Sequence, residues 1–578
     1  MDLWKDLRYA VRTMRQRPGF LATAVITMAL AIGGTTAMFT VIRAVLLKPL
    51  AYRDPDRLVR ISGGATPARL REMQAAAHSF TEIGAYAGSE NLTLSGGAEP
   101  EVLSGVYVSH GFLRILGVDP LLGRGFRPEE DAAGGAPVAM ISAELWQRRF
   151  GADPRIAGRS AIVADTAHTI IAVLPPHFQF PYAGTDVWLT APTEWPSIPP
   201  RSRALSPYLT VFARLKPGVS LEQANAELKV IRHQYAMAHP AMLDAKSRTP
   251  AELTPMKDNL VADIRSTLWL LFGAAGFVLL IACANVAGLL LARATSRTRE
   301  FAVRAALGAG RARLIRQLLV ESVLLSFMGG LLGVLLAAYG LRALPHMTAF
   351  NLPRASEVQL DWMVLAFAAA LSIATGVLFG LAPSMGASRP QLMDALRTSG
   401  VASGQGARRG ILAGLNPRSV MLVGQVALSV VLLIGAVLLI ESVAQLRGVN
   451  IGFNAANLLT LHVSLPPVRY NSDQKTATFF GDLVDRVRTL PGARAVAAAW
   501  YLPMMGYAGT PVLDASKPEL PLNQRPLATL IIVSPDYFRT LGIPLRRGRD
   551  FGAQDTADAQ RVAIINEALA RRFWPAYP

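Results

Sequence analysis

Cysteine is nearly absent from this chain. Its 578 residues hold one, Cys283, inside an apolar stretch. No disulfide framework and no cysteine-based metal site can therefore form within one chain. Charge is also scarce. Asp, Glu, Lys and Arg make up 17% of the residues, 51% are hydrophobic, and mean hydropathy is +0.32. Soluble chains carry about 25% charged residues. The deficit points to membrane segments. Acidic residues are the scarcer sign, with 40 Asp and Glu against 58 Lys and Arg, a formal charge of +18. The eight histidines are scattered without ligand spacing. His233 and His239 bracket a helix end and read as surface positions. No Walker A pattern, HExxH or GxSxG elbow occurs. These absences leave no catalytic, cofactor or metal site to nominate.

Long apolar runs are what the chain has. A helix needs about 20 mostly apolar residues to cross the hydrocarbon core. Phe20–Ile42, Ser266–Ala292, Ser322–Leu341, Trp362–Leu381 and Ser419–Ile440 qualify. Orientation follows from the Lys and Arg close to them. Lys5, Arg8, Arg12, Arg15 and Arg17 precede the first run. Arg293, Arg297, Arg299, Arg304, Arg311, Arg313 and Arg316 lie between the second and third. Arg389, Arg397, Arg408, Arg409 and Arg418 follow the fourth. Between the third and fourth, Arg342 and Arg354 are offset by Glu357 and Asp361. This alternation places the N-terminus in the cytoplasm and explains the excess basic charge better than nucleic-acid binding does. The first run is long for a signal-peptide core and reads as an uncleaved anchor.

The expected organisation is a cytoplasmic segment 1–19, a span 20–42 and an extracytoplasmic domain 43–266. A three-span block 267–388 follows, with helices 267–292, 319–341 and 362–382 and a cytoplasmic loop 293–316. A cytoplasmic linker 389–418, a span 419–441 and a second extracytoplasmic domain 442–578 complete it. Gly329 with Gly333, and Gly376 with Gly380, are GxxxG pairs, whose small residues let helix backbones approach. The spans hold no file of ionisable residues, which argues against a proton-coupled transporter.

The domain 43–266 mixes strands and helices. Pro137–Ile141 and Thr169–Leu174 read as strands. Ser142 is the expected N-cap of a helix to Phe150. Leu209–Leu215 alternates apolar and polar residues and reads as a half-exposed strand. Pro217-Gly218 turns the chain, and Ser220-Leu221-Glu222-Gln223 is a capping box opening a helix to about Ala238. The expected fold class is an α-helical multi-pass membrane protein with α+β extracytoplasmic domains.

The chain then repeats itself. Val108–Phe126 (VSHGFLRILGVDPLLGRGF) and Val533–Phe551 (VSPDYFRTLGIPLRRGRDF) are identical at eight of 19 positions. Gly117/Gly542, Gly123/Gly548, Arg124/Arg549 and Phe126/Phe551 are among them. Val138–Ser142 pairs with Val562–Asn566, and Arg148-Arg149-Phe150 with Arg571-Arg572-Phe573. Self-similarity of this length marks a duplicated unit. The second copy reads as incomplete at Pro578. Leu94-Ser95-Gly96-Gly97 is similar to the start of an ABC ATPase signature, but with no Walker A its ordinary reading is a turn.

The segment Ser296–Glu321 is basic and helix-compatible on both sides of Leu307-Gly308-Ala309-Gly310. Phe301, Val303 and Leu307 could present an apolar face to a cytoplasmic partner.

Within that segment, Arg299-Glu300, Arg304, Gly308-Ala309, Ile315 and Glu321 resemble the cytoplasmic part of FtsX-like permease domains. Asp186-Val187-Trp188, Trp146, Phe150-Gly151-Ala152-Asp153-Pro154 and Leu215-Lys216-Pro217-Gly218-Val219-Ser220 resemble the MacB-type periplasmic core domain. Trp4-Lys5-Asp6-Leu7-Arg8-Tyr9-Ala10 and Leu47-Lys48-Pro49-Leu50 resemble duplicated orphan permeases of the acidobacterial type. The resemblance covers the chain as a whole. It implies an ABC permease of the inner membrane that works with separate cytoplasmic ATPase subunits, for efflux or mechanotransmission. By the same analogy Arg299, Glu300, Arg304 and Gly308 contact the ATPase. A periplasmic adaptor and a further permease half are the other implied partners, besides the bilayer. No cofactor and no nucleic acid is implied. The alternative is an FtsX-like scaffold that regulates periplasmic enzymes without transport.

Overall fold

A computed structural model describes residues 2–96, 99–196, 198, 200–245, 252–296, 311–343, 354–387, 417–465, 469–470, 472–504, 508–521, 524–556 and 558–575. In chain order the elements begin with helices α1 (Asp2–Arg15) and α2 (Pro18–Ile42). Strand β1 (Leu58–Ala65), α3 (Pro67–Ala76), β2 (Phe80–Ser95), β3 (Glu101–Val108) and α4 (Phe112–Leu116) follow. Next come β4 (Leu122–Gly123), α5 (Pro128–Asp131), β5 (Val138–Ile141), α6 (Ala143–Phe150), β6 (Ser160–Val163) and β7 (Thr166–Val173). Then β8 (Val187–Leu189), α7 (Pro200–Arg203), β9 (Leu209–Leu215), α8 (Leu221–Ala238) and β10 (Leu253–Pro255) lead to α9 (Met256–Ser296). The remaining elements are α10 (Arg311–Ala343), α11 (Trp362–Ala387), α12 (Pro417–Gly448), α13 (Asp473–Arg488), β11 (Ala508–Pro511), β12 (Leu527–Leu530), α14 (Tyr537–Leu541) and α15 (Glu567–Phe573).

The chain divides into two compact units. One comprises Met1–Lys48 and Leu260–Val449, the other Pro49–Asn259 and Asn450–Pro578. The first unit is helical. Five of its helical stretches are long and apolar enough to cross a membrane: Pro18–Leu47, Met256–Arg293, Ile315–Ala343, Trp362–Leu381 and Leu422–Gly448. Its core joins Met28 and Ile32 of α2, Cys283 and Val286 of α9, and Leu325 of α10. The most apolar window of α12 has no buried residue. Its described tie to a neighbour is Gln425 Nε2 donating to Asn285 Oδ1 of α9 at 2.7 Å.

The second unit is built on a 10-stranded sheet ordered β10-β1-β9-β2-β3-β8-β5-β7-β4, with β6 against β2 and β7. The β3–β8 and β5–β7 pairs are parallel and the others antiparallel. Strand β9 corrects the sequence expectation. It lies between β1 and β2, and six of its seven residues are buried. Leu209, Val211, Ala213 and Leu215 pack with α3 and α8 on one face. Phe212 packs on the other face with Phe112 and Ile115 of α4. Arg214 looks polar in sequence, yet is 6% exposed. Its guanidinium donates to the carbonyls of Ile115, Arg53 and Asp54. Both faces are covered, so the alternation does not mark a solvent side.

The caps are as the side chains dictate. Ser142 Oγ accepts from Leu145 N, and Ser220 Oγ accepts from Gln223 N while Ser220 N donates to Gln223 Oε1. The duplication is visible in local geometry. Gly117 and Gly542 both take φ +66°, and Gly123 and Gly548 take +86° and +85°. Ser109 Oγ accepts from Ala85 N, as Ser534 Oγ does from Ala498 N. Arg124 makes a forked pair with Glu130, and Arg549 with Asp555. Asn566 caps α15 as Ser142 caps α6. Burial differs: Val138 and Ile141 are 5% and 3% exposed, Val562 and Ile565 45% and 44%. Strand β5 is covered by β7 and β8, and 562–565 has no assigned strand partner among the described residues.

Candidate functional site

The candidate site is the helix bundle and the ends of the segment that joins α9 to α10. Arg299, Glu300, Arg304 and Gly308 lie outside the described residues. What is described is the frame that holds both ends of their segment. Arg293, in the last turn of α9, is 8% exposed. Its Nη2 donates to the Thr13 carbonyl of α1 at 3.3 Å, and its guanidinium lies 4.9 Å from the Phe20 ring centre. The carbonyl and the ring give the guanidinium a hydrogen bond and a cation–π contact at the end of the span. Arg316, in the second turn of α10, pairs with Asp6 of α1 at 2.8 Å. One amphipathic helix therefore grips both ends of the segment 297–310. Glu321 is buried one turn further along α10, at 2% exposure.

Glycine sets the helix crossings. A Cβ on Gly333 would sit 2.8 Å from the Ala29 carbonyl oxygen and 2.8 Å from the Gly33 nitrogen. A Cβ on Gly329 would meet Met28 Cβ at 2.5 Å. These two positions of α10 thus face α2, backbone to backbone. On α11, a Cβ on Gly376 would meet Val323 Cα at 2.7 Å, and one on Gly380 would meet Leu319 Cδ2 at 2.8 Å. Small residues at this spacing replace the missing hydrophobic drive between helices with close van der Waals packing. Sequence reasoning missed Gly33, because α2 carries it in a Gly-Gly pair without the GxxxG spacing. Hydroxyls complete the helices internally: Thr35, Thr40, Ser322 and Ser372 donate to carbonyls four residues earlier.

The opposite end of the bundle is closed by charge. The last turn of α2 widens into a π-turn, Arg43–Leu47, with Lys48 N donating to Arg43 O at 2.7 Å. Arg43 Nη2 and Nε reach Asp361 Oδ2 at 2.6 and 2.8 Å. That guanidinium holds the Asp361 carboxyl below the usual carboxylate range. Arg354 forks onto Glu357 and donates to the Lys48 carbonyl at 2.8 Å. Burial pushes the Glu357 carboxyl up, but Arg354 and Lys48 outweigh it and leave it lowered. Sequence had marked Arg354, Glu357 and Asp361 only as balancing charges. The second unit offers no metal cluster among the described residues. His239, expected at the surface, is half-buried against Glu72.

Comparison with known proteins gives this arrangement a family. Residues 21–231 and 419–578 match the MacB-like periplasmic core domain, and residues 272–392 match the FtsX-like permease C-terminal domain. The two core-domain matches fall on the two copies of the repeat. The macrolide export ATP-binding/permease protein MacB of Hahella chejuensis is 26% identical over 298 residues, covering 50% of this chain and 42% of that protein. The pyoverdine export ATP-binding/permease protein PvdT of Pseudomonas syringae pv. tomato is 28% identical over 290 residues, 46% of this chain and 39% of that one. The uncharacterized ABC transporter permease YvrN of Bacillus subtilis is 39% identical over 128 residues, 22% of this chain and 30% of its own. The chain thus spans at most 42% of the length of these relatives. Among solved structures, the periplasmic region of MacB from Actinobacillus actinomycetemcomitans is matched over 39% of this chain and 95% of that one. That match has 10% identity and a TM-score of 0.28. The family matches cover more than half of the chain and run in step with its spans and its repeat, so the chain belongs to the MacB/FtsX-like ABC permeases, as a multi-pass membrane protein with α+β domains outside its spans.

Proposed function

We propose that this chain is the permease part of an ABC-type transporter, driven by a separate ATPase that docks on the segment 297–310. The carrying observation is the frame around that segment. Its two ends are fixed to α1 by Arg293 and Arg316, and α10 is fixed to α2 and α11 through glycine. A push on the segment then moves these helices together rather than bending one of them. Packed helices shift as bodies because close-packed interfaces are not continuously deformable. Movement of α10 would carry α2 with it, and α2 would pass the motion to the domain that follows it in the chain and change its shape for export or mechanotransmission. In this reading the N-terminus is cytoplasmic, in keeping with the Lys and Arg beside the spans. Arg299, Glu300, Arg304 and Gly308 form the docking surface, and ATP is hydrolysed in the partner. The relatives named for macrolide and pyoverdine export support an export role, and the substrate is left open because architecture does not fix it.

The test is capture of a MacB-type ATPase by the membrane-embedded chain. Replacement of residues 296–316 by a flexible linker is expected to abolish capture, and Glu300→Ala and Arg304→Ala to weaken it. Undiminished capture after the replacement would refute the docking assignment.

A further inference from the structure

We propose that α1 is a membrane-surface anchor whose outward face binds anionic lipid headgroups. The inference rests on the membrane reading above, but not on the ATPase reading or on orientation. It starts from how the fourteen residues of α1 divide. At 100° per residue, Asp6, Ala10, Thr13 and Met14 share one face. All four are buried, at 9%, 0%, 5% and 3% exposure. That face is spoken for: Asp6 pairs with Arg316, and the Thr13 carbonyl accepts from Arg293.

The opposite face is fixed by this docking and is turned away from the bundle. It carries Trp4, Arg8, Val11, Arg12 and Arg15, all exposed, with Trp4 at 70%. They fall within about 100° of arc. Trp4 and Val11 occupy one flank and Arg8 and Arg12 the other, with Arg15 between. Arg8, Arg12 and Arg15 have no ion-pair partner among the described residues. The break at Arg17, with φ −138° and ψ 76°, separates α1 from the first span, which starts at Pro18. The face therefore lies next to the point where the chain enters the bilayer.

An apolar flank beside a cationic flank at that level suits the headgroup boundary. Trp prefers the interface, where its ring is half in hydrocarbon and half in water. Arg next to anionic lipid gains Coulomb attraction that a zwitterionic surface does not give. No acidic residue of α1 falls within this arc. An exposed tryptophan with three unpaired arginines would be unusual on a face that meets only water.

The experiment uses the full chain in nanodiscs of phosphatidylcholine, with and without phosphatidylglycerol brominated in its acyl chains. The part of the fluorescence lost in Trp4→Phe reports on Trp4 alone. Brominated phosphatidylglycerol is expected to quench that part. In detergent, native mass spectrometry with added phosphatidylglycerol is expected to show binding at least tenfold weaker for the triple variant Arg8→Gln, Arg12→Gln, Arg15→Gln. A control with the same charge change, Arg71→Gln, Arg155→Gln, Arg547→Gln, is expected to bind like the parent. The inference is overturned if Trp4 is not quenched, or if the triple variant keeps its preference for phosphatidylglycerol over phosphatidylcholine. It is also overturned if Trp4 responds only when an ATPase subunit is added, which would make the face a protein contact. Failure of lipid binding leaves the ATPase capture experiment unaffected, and the reverse holds as well.

Discussion

Substituting Gly333 by alanine tests the bundle most directly. The new Cβ would stand 2.8 Å from both the Ala29 oxygen and the Gly33 nitrogen. That is about 0.7 Å short of the roughly 3.5 Å at which non-bonded contacts become attractive. The obstructing atoms are backbone, so no rotamer change relieves them, and α2 and α10 must separate. Overpacking of this kind costs about 1–3 kcal/mol. At 1.4 kcal/mol per decade, the folded-to-unfolded ratio falls about 5- to 150-fold. Gly340 on the same helix is the control, because nothing lies within 4 Å of its Cβ position. Alanine there should be neutral or mildly stabilising, since it favours the helix by up to about 1 kcal/mol. Reversible unfolding of the chain in bicelles measures both. Gly33→Ala crowds the same crossing from the α2 side, 2.7 Å from the Gly333 oxygen, and once the helices have separated for one Cβ the second costs less, so the double variant should cost less than the two single costs added. If Gly333→Ala is no worse than Gly340→Ala, glycine does not set this crossing.

Other outcomes follow from the same geometry. Asp6→Asn and Arg316→Gln, measured singly and together, should show a coupling of about 0.5–1 kcal/mol, reduced by high salt. Gly117→Ala should destabilise its domain more than Gly542→Ala does. Both positions take φ +66°, but the new Cβ would lie 2.5 Å from Arg53 Cβ in the first and 3.3 Å from Asn454 Cβ in the second. The shared backbone strain is about 1–2 kcal/mol, and hydrogen exchange resolves the two domains. The Asp555 carboxyl is held at about 2, against an ordinary 3.8, by the Arg549 fork and by Gly552 N–H. Its folded pKa is depressed, so its contribution is complete above the ordinary value and disappears as pH falls through about 2. Carbon-13 titration of Asp555 checks this, and Arg549→Gln should move the midpoint up toward 3.8.

The spans were readable because about 20 apolar residues in a row have few other uses. The caps at Ser142 and Ser220 were readable because N-capping is a local chemical need. The duplication was readable because eight identities in 19 positions keep two glycines at the same positive φ. What escaped depends on partners distant in sequence. The alternation of β9 suggested a wet face, and only β1 on one side and β2 on the other, with helices above and below, make it a core strand. Asp6 and Arg316 are 310 residues apart, and each alone reads as an ordinary surface charge. Helix α9 starts at Met256, before its apolar run, because Lys257, Asp258, Asp263 and Arg265 do not interrupt helical backbone. Gly33 belongs to no GxxxG pair, only to a small-residue pair with Ala29, and its importance comes from the glycine opposite.

The π-turn at Arg43–Leu47 gives the far end of α2 a property that a plain α-helix lacks. A π-turn holds one residue more than the α-turn it replaces. The helix therefore carries one residue of slack at the turn that contains Arg43, the partner of Asp361. Tightening the turn would rotate everything beyond it by about 100° relative to α2, without melting the helix. Deleting one residue between 43 and 47 is expected to remove the slack and re-aim the chain as it leaves the bundle, so the wide turn holds in reserve a residue that an ordinary helix end does not have.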